Sequence, residues 1–123
     1  QMTEDHSVVM ELLRQGLINE DQARGHADKN VILRALGTKP QVSVSTWGRP
    51  FPVKANDRFV LCTDGLSDLV LDDEIQAIAE AETPSTACEQ LVTLAKQRGG
   101  YDNITVGILH VEMIHDPAVG QDE

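Results

Sequence analysis

The chain has 123 residues and a net charge of −10, a length at which one domain of ordinary size can bury a substantial core. Its 20 acidic residues against 10 basic ones repel phosphate backbones and attract cations, which argues against nucleic-acid binding. The apolar runs are shorter than the ~20 residues that cross a bilayer, so no membrane span is expected.

The first 37 residues are predicted to be mainly helical. Residues 5–15 carry an apolar stripe at helical spacing, and either Asp5 or Ser7 can cap this helix. Asn30 is predicted to cap a further helix of one or two turns that ends at Gly37.

Between these two helices lies a polar stretch, residues 19–30. Asn19 and Gln22 have the spacing of a capping box, which predicts a short helix over residues 20–25. Because this helix has few apolar side chains to bury, the stretch is expected on the surface or in a mobile flap.

Strands enter the pattern from residue 40 onward. Residues 41–47 alternate apolar and polar side chains, which predicts a half-buried strand, and residues 58–63 are apolar on both faces, as a central strand is. The other predicted elements are a tight turn at 55–57, a helix capped by Asp72 or Asp73, a helix that begins at Thr83-Pro84, a strand from 104 to about 113, and a frayed polar tail. About five helices and three strands predict an α+β fold that forms part of a sandwich.

Two cysteines are present, Cys62 in the apolar strand and Cys88 on the apolar side of a helix. They do not have the spacing of a metal motif or of a disulfide framework. Two buried free thiols in a reducing cytoplasm are therefore expected.

Two carboxylates stand at junctions between a strand and a loop. Asp64 follows the strand 58–63, and Asp102 precedes the strand that begins near residue 104. If these strands pair antiparallel, both junctions lie at one edge of the sheet, and adjacent strands are only ~4.8 Å apart. Converging carboxylates repel each other unless a cation lies between them, and oxygen ligands of this kind suit Mg²⁺ or Mn²⁺. The alternative is that Asp64-Gly65 and Asp102-Asn103 are ordinary turn and cap sequences.

Three stretches together resemble a known family. The stretches "FVLCTDGLSDLV" and "GGYDNITVGIL", with the upstream "TEDHSVVMELLRQGLINEDQARGHADKNVILRALG", resemble the C-terminal half of the metal-dependent type-2C (PPM) serine/threonine phosphatases of bacteria. The resemblance covers about residues 3–112. It implies a helix-flanked antiparallel β-sandwich of which this chain, residues 1–123, holds the C-terminal segment, with a flap-like region at about 17–36 and the N-terminal half absent.

The resemblance also implies a site. Asp64 would bind the second metal ion and a loosely held third, Asp102 would be the other C-terminal ligand of the second metal, Gly65 would let the backbone pass close by, and Asn103 would orient Asp102. The cofactors would be Mg²⁺ or Mn²⁺, two or three ions in the complete enzyme. These ions would activate a water molecule for attack on phosphorus.

The groups that complete the family's chemistry lie in the absent half. They are the other acidic motifs, the arginine that binds substrate phosphate and the general-acid histidine. His6 is expected to make structural hydrogen bonds, and His26, His110 and His115 are expected at the surface. This chain contributes no catalytic residue, and alone it is expected to be inactive.

The parent protein is expected to be a cytoplasmic protein phosphatase that acts on phosphorylated serine and threonine, with a cognate kinase as a further partner. The alternative is a non-catalytic pseudo-phosphatase or regulatory binding fragment. A third possibility is a stable fragment that associates with itself or with its missing half, since half a sandwich exposes an apolar face.

Overall fold

The computed structural model describes residues 1–114, so the predicted polar tail and His115 lie outside the described residues. The chain divides into two compact units, an N-terminal unit, Gln1–Pro50, and a C-terminal unit from Phe51 onward. The elements are α1 (Val8–Arg14), α2 (Glu20–Arg24), β1 (Arg58–Cys62), α3 (Asp64–Ser67), α4 (Asp72–Ala81), α5 (Pro84–Gln97) and β2 (Val106–His110). Helices with one antiparallel strand pair confirm the predicted α+β class.

The two helices of the N-terminal unit begin at the predicted caps. The Ser7 side chain accepts a hydrogen bond from the Met10 amide at 3.2 Å, so Ser7 and not Asp5 caps α1. Asn19 and Gln22 form the predicted capping box of α2, each side chain accepting from the other's backbone amide at 2.8 and 2.9 Å. Such reciprocal bonds stabilise even a helix of five residues, because they satisfy donors that have no partner inside the helix.

Two predictions for the N-terminal unit are wrong. Residues 31–37 are not helical; Ile32 forms an antiparallel bridge with Ser7, and the Leu33 amide donates to the His6 carbonyl at 2.7 Å. The β-branched Val31 and Ile32 favour this extended pairing over a helix. Residues 41–47 alternate as a strand does, but they pair with no strand in the described part of the chain. Alternation alone does not make a strand, since its backbone groups need a partner.

The sheet of the C-terminal unit pairs β1 with β2 antiparallel, with Arg58 opposite His110 and Cys62 opposite Val106. The condition for bringing Asp64 and Asp102 to one edge is therefore met. A turn with Asn56 at φ 70° leads into β1, and the Asn56 amide donates to the Val111 carbonyl at 2.6 Å. β2 is shorter than the predicted strand of 104 to about 113. Within residues 1–114, the sheet has two strands.

The core of the C-terminal unit lies between one face of this sheet and the helices. Its fully buried residues come from α3, the turn after it and α5: Leu66, Val70, Leu91 and Ala95. Val106 and Ile108 of β2 pack against them. On the opposite face Leu61 and Leu109 remain 64% and 58% exposed, so β1 is not buried on both faces within this structure.

The helices of this unit largely follow the predicted signals. Thr83 caps α5 by accepting from the Thr86 amide at 3.3 Å, and Pro84 is its first residue. The helix α4 begins differently: Asp72 and Asp73 lie in its first turn, and Leu71 is the N-cap residue. Carboxylates in a first turn interact favourably with the helix dipole without capping it. The one-turn helix α3 was not predicted, because "TDG" is read as a turn.

Candidate metal centre at the edge of the sheet

The two predicted metal-ligating residues lie at the same edge of the β1–β2 sheet. Cys62 ends β1 and pairs with Val106, which begins β2. Asp64 stands two residues after Cys62, and Asp102 stands four residues before Val106. The antiparallel pairing therefore brings the two junctions together, and both aspartates are exposed.

Thr63 joins the two junctions directly. Its amide donates to the Thr105 carbonyl at 3.0 Å, which continues the ladder one step beyond β1. Its hydroxyl donates to the Asn103 carbonyl at 3.1 Å and accepts from the Thr105 amide at 3.0 Å. Three hydrogen bonds thus connect Thr63, just before Asp64, with Asn103 and Thr105, just after Asp102. Sequence reasoning missed this contribution, for which the only signal was a hydroxyl residue at the strand end.

Gly65 is buried where the two junctions touch. A Cβ atom at this position would overlap the Asn103 carbonyl oxygen and lie 3.0 Å from its carbon and 3.3 Å from Cγ1 of Ile104. Only glycine permits so close an approach without displacing backbone. The side chain that Gly65 lacks is therefore what allows residues 103 and 104 to lie against the start of α3.

Asn103 contacts Asp102 through its backbone. The Asn103 amide donates to Oδ1 of Asp102 at 2.7 Å, and the Asn103 carbonyl accepts from Thr63. The contact restrains the Asp102 carboxylate through one oxygen. The family resemblance implies an orienting role for Asn103 toward Asp102, and the contact with Asp102 is made by the backbone amide of Asn103.

Desolvation and the negative charge at this edge affect the pKa of the neighbouring Cys62 thiol. Partial desolvation of its sulfur raises the pKa of the Cys62 thiol, and the carboxylates of Asp72 and Asp64 raise it further. The thiol therefore stays protonated near neutral pH and is a poor metal ligand there. Both cysteines are free, as predicted, but Cys62 is exposed and Cys88 is half-buried, so the expectation of two buried thiols is wrong.

The donor set at this edge fits part of a site for a hard divalent cation. Asp64 and Asp102 offer carboxylate oxygens, which suit Mg²⁺ and Mn²⁺. Among the described residues, His, Cys, Asp and Glu side chains form no group of three or more that could hold a metal ion. An octahedral ion takes about six oxygen ligands, so two carboxylates would supply only a minority of them.

A second network, in the N-terminal unit, surrounds His6. Nε2 of His6 lies 2.7 Å from Oγ of Ser45 and 3.1 Å from a guanidinium nitrogen of Arg34. Arg34 also donates to the Ser43 carbonyl at 3.2 Å. Because a guanidinium can only donate, its contact with His6 requires Nε2 to accept. These contacts agree with the structural role predicted for His6.

Comparison with known proteins identifies the relatives of this chain. No family model matches it. It is 44% identical over 107 residues to the serine/threonine phosphatase stp of Listeria monocytogenes, and these residues are 86% of this chain and 42% of the relative. It is 33% identical over 112 residues to a putative protein phosphatase 2C-type of Streptococcus pyogenes, covering 90% of the chain and 45% of the relative.

Comparison with solved structures finds the same kind of relative. The Mycobacterium tuberculosis serine/threonine phosphatase PstP/Ppp superposes with a TM-score of 0.80 at 32% identity, over 92% of this chain and 47% of that one. The catalytic domain of PstP in complex with two manganese ions superposes with a TM-score of 0.70 at 32% identity, over 88% and 43%.

These similarities define a class, and they confirm the resemblance seen in the sequence. The chain is related in sequence and in fold to the bacterial serine/threonine phosphatases of type 2C. It spans about half the length of the curated relatives it matches, which is consistent with the predicted C-terminal segment.

Proposed function

We propose that this chain is the C-terminal part of a metal-dependent phosphatase that hydrolyses phosphoserine and phosphothreonine in proteins. In this proposal Asp64 and Asp102 are metal ligands, and Gly65 and Asn103 support them. The observation that carries the proposal is the pairing of β1 with β2, which brings both carboxylates to one edge in a chain 44% identical to a serine/threonine phosphatase.

The cofactors proposed for the complete enzyme are two or three Mg²⁺ or Mn²⁺ ions. Oxygen-only donors favour these hard cations, and the related PstP catalytic domain has been solved with two manganese ions. When bound, such ions lower the pKa of a coordinated water for attack on phosphorus and neutralise charge on the phosphoryl oxygens.

The residues of this chain would bind the metal ions and orient the two carboxylates that contact them. Asp64 and Asp102 would each contribute negative charge to the ions from one edge of the sheet. The Asn103 amide holds one oxygen of Asp102, which leaves the other to turn toward a cation. Gly65 and Thr63 keep the two junctions in contact, so both carboxylates would act on the same group of ions.

The partners proposed for the whole protein are phosphorylated serine and threonine proteins and a cognate kinase, in the cytoplasm. Within residues 1–114 no helix is long and apolar enough to cross a membrane, and the net charge of −10 disfavours nucleic acid. Self-association of the fragment is also proposed, because Leu61 and Leu109 leave one face of the sheet apolar and exposed.

Substitution of the two aspartates in the full-length protein that carries this chain tests the proposal. Asp64→Asn and Asp102→Asn each remove a charged ligand at constant side-chain size, so we expect turnover of a phosphopeptide at saturating Mn²⁺ to be abolished with little loss of fold. Asp73→Asn, an exposed aspartate in the first turn of α4, is the control outside the candidate centre and should retain activity. Activity of the Asp64 or Asp102 variant within about threefold of wild type, less than ~1 kcal/mol on the barrier, would overturn the assignment.

The isolated chain should be inert and should bind metal weakly, since two carboxylates and water make an incomplete octahedral site. Incubation with p-nitrophenyl phosphate and Mn²⁺ checks the first expectation, and calorimetric Mn²⁺ titration checks the second. Turnover by the chain alone that is lost in Asp64→Asn would contradict the assignment of the remaining groups to another segment. Inactivity of the full-length protein at saturating Mn²⁺ would favour the alternative, a non-catalytic binding fragment.

A further inference from the structure

An ion pair in the C-terminal unit connects the turn that follows Asp64 with the turn that precedes Asp102. Arg98 donates to both carboxylate oxygens of Glu74, from its two terminal nitrogens, at 2.6 and 2.7 Å. The nitrogen at 2.7 Å also donates to the Leu69 carbonyl at 2.9 Å. Glu74 in turn accepts from the Leu71 amide at 3.0 Å. We refer to Arg98, Glu74 and their partners Leu69 and Leu71 as the Arg98 clamp.

The position of the clamp in the chain connects it to the candidate metal centre. Leu69 follows the one-turn helix α3, which begins at Asp64, and the Asp68 amide donates to the Asp64 carbonyl at 2.9 Å. Arg98 is the C-cap residue of α5 and stands four residues before Asp102. One guanidinium thus connects the turn after the first carboxylate to the turn before the second.

A short, tight turn separates Arg98 from Asp102. Gly99 and Gly100 adopt φ values of 130° and 56°, and the Gly100 amide donates to the Ala95 carbonyl at 3.1 Å. The Tyr101 ring folds back against Gly99, where a Cβ atom would overlap it. The end of α5 and Asp102 are thus joined by a short turn that is hydrogen-bonded back to the helix.

Thr63 and the clamp hold opposite ends of the same short segment. Thr63 attaches the residue before Asp64 to Asn103 and Thr105, and Arg98 attaches the turn at Leu69 to the end of α5. An exposed ion pair contributes little to stability alone, and the Arg98 and Glu74 side chains are 36% and 33% exposed. The two-point contact with a carboxylate adds geometric restraint that a single charge contact lacks.

We propose that Arg98 and Glu74 are positioning residues, which hold the junctions of Asp64 and Asp102 at the spacing that a shared metal centre requires. This inference rests on the proposed function for the role of the two aspartates. Neither residue touches the metal or the substrate in this account. Both act through the backbone on either side of the ligands.

The test uses the full chain, isotope-labelled for NMR. Mn²⁺ is added alone, and paramagnetic broadening of the amides of Asp64 and Asp102 gives an apparent midpoint even for weak binding. Loss of a direct partner of a metal ligand typically weakens binding by about 10- to 100-fold, and Arg98 acts less directly, through the backbone. We therefore expect Arg98→Ala to raise this midpoint about tenfold, the lower end of that range. Lys96→Ala removes an exposed positive charge from the last turn of the same helix and should leave the midpoint unchanged.

Two further variants separate geometry from charge. Arg98→Lys keeps the charge but not the two-point contact, so it should fall closer to Arg98→Ala than to wild type. Glu74→Gln should resemble Arg98→Ala, and the double variant should be no weaker than either single one, because each substitution opens the same clamp. Glu80→Gln, an exposed glutamate on α4, is the control for Glu74→Gln.

The outcomes are distinguishable. A lower thermal midpoint with an unchanged Mn²⁺ midpoint in Arg98→Ala, or an Arg98→Lys variant equal to wild type, would overturn the positioning role. If Arg98→Ala does not fold, Arg98→Lys and Glu74→Gln carry the same comparison. If Mn²⁺ does not broaden Asp64 and Asp102 in the wild-type chain, its two carboxylates are too few to hold the ion, and the metal-free spectra decide the positioning role instead. In that case displaced metal-free amide resonances at both junctions in Arg98→Ala, absent in Lys96→Ala, still support the connection, and unchanged resonances overturn it.

Discussion

Substitution of Gly65 by alanine is the sharpest test of how closely the two junctions pack. The added Cβ atom would overlap the Asn103 carbonyl oxygen and lie 3.0 Å from the carbonyl carbon and 3.3 Å from Cγ1 of Ile104. Two of these three atoms belong to the backbone, which cannot turn away as a flexible side chain can. Overpacking of this kind costs about 1–3 kcal/mol of unfolding free energy, and we expect Gly65→Ala to fall in the upper part of that range.

The matched control is Gly107→Ala in β2, where a Cβ atom would meet nothing within 4 Å. Gly107 has an ordinary negative φ, and alanine at such a site reduces the entropy of the unfolded chain, so this variant should be neutral or stabilised by about 0.4–1 kcal/mol. The two variants add the same methyl group to the same unit, Gly65→Ala at a crowded position in α3 and Gly107→Ala at an open position in β2. Their difference therefore isolates the contact with Asn103.

Urea unfolding followed by far-UV circular dichroism measures both variants in the same chain. With a slope of about 1–3 kcal/mol per molar urea, a loss of ~2 kcal/mol lowers the midpoint by about 1 M. The Gly65→Ala protein should also show shifted amide resonances at Asn103 and Ile104, because the backbone there must move. Equal midpoints for Gly65→Ala and Gly107→Ala would refute the close packing of the two junctions.

Three other predictions concern hydrogen bonds and mobility. Arg98 and the Leu71 amide hold the pKa of Glu74 at about 2, below its ordinary 4.5. The contribution of this contact to stability is therefore present above pH ~4.5 and lost as pH falls toward 2. NMR titration of the Glu74 carboxyl should show the low midpoint, and Arg98→Ala should return it toward 4.5. Thr63→Val removes two hydrogen bonds at nearly constant shape and should cost about 1 kcal/mol in urea unfolding, whereas Thr63→Ser keeps the hydroxyl and should cost less. Residues 19–30 should exchange their amide hydrogens faster than Arg58–Cys62, and equal protection would contradict the flap assignment.

Much of this fold could be predicted from local sequence signals, because those signals describe contacts between close neighbours. Ser7, the Asn19–Gln22 capping box and Thr83-Pro84 each set a helix start within three residues, and all three predictions are confirmed. Both strands were located from their apolar runs, and their antiparallel pairing, considered only as a condition, is present in the structure. The three helix starts need no knowledge of distant parts of the chain, whereas the strand pairing joins residues far apart in sequence.

The errors occur where the outcome depends on a distant partner. Residues 31–37 satisfy helical spacing, but Val31 and Ile32 pair with the segment before α1, about 25 residues away. Residues 41–47 have strand alternation and no partner strand in the described part of the chain. The expectation that Cys62 is buried failed for a similar reason, because burial of a strand face depends on what packs against it.

The candidate site shows the same division. Asp64 and Asp102 were identifiable because each stands at a strand junction, and antiparallel pairing brings such junctions together. Thr63 and the Arg98 clamp were not identifiable, since their contacts cross 40 and 24 residues of chain and depend on the exact course of the turns. The metal role of the two aspartates remains a prediction.

The contacts that hold the two junctions described above all lie in the C-terminal unit. Thr63, Gly65 and the Arg98 clamp belong to it, as do the buried residues Leu66 and Leu91 beneath them. The edge that carries Asp64 and Asp102 should therefore be ordered in this chain, even when the other ligands of the metal centre are missing. A low Mn²⁺ affinity of the chain would then reflect too few ligands and not a disordered edge. Protection of the Thr63 and Thr105 amides from hydrogen exchange distinguishes the two causes, because both amides donate across the junction only while it is formed.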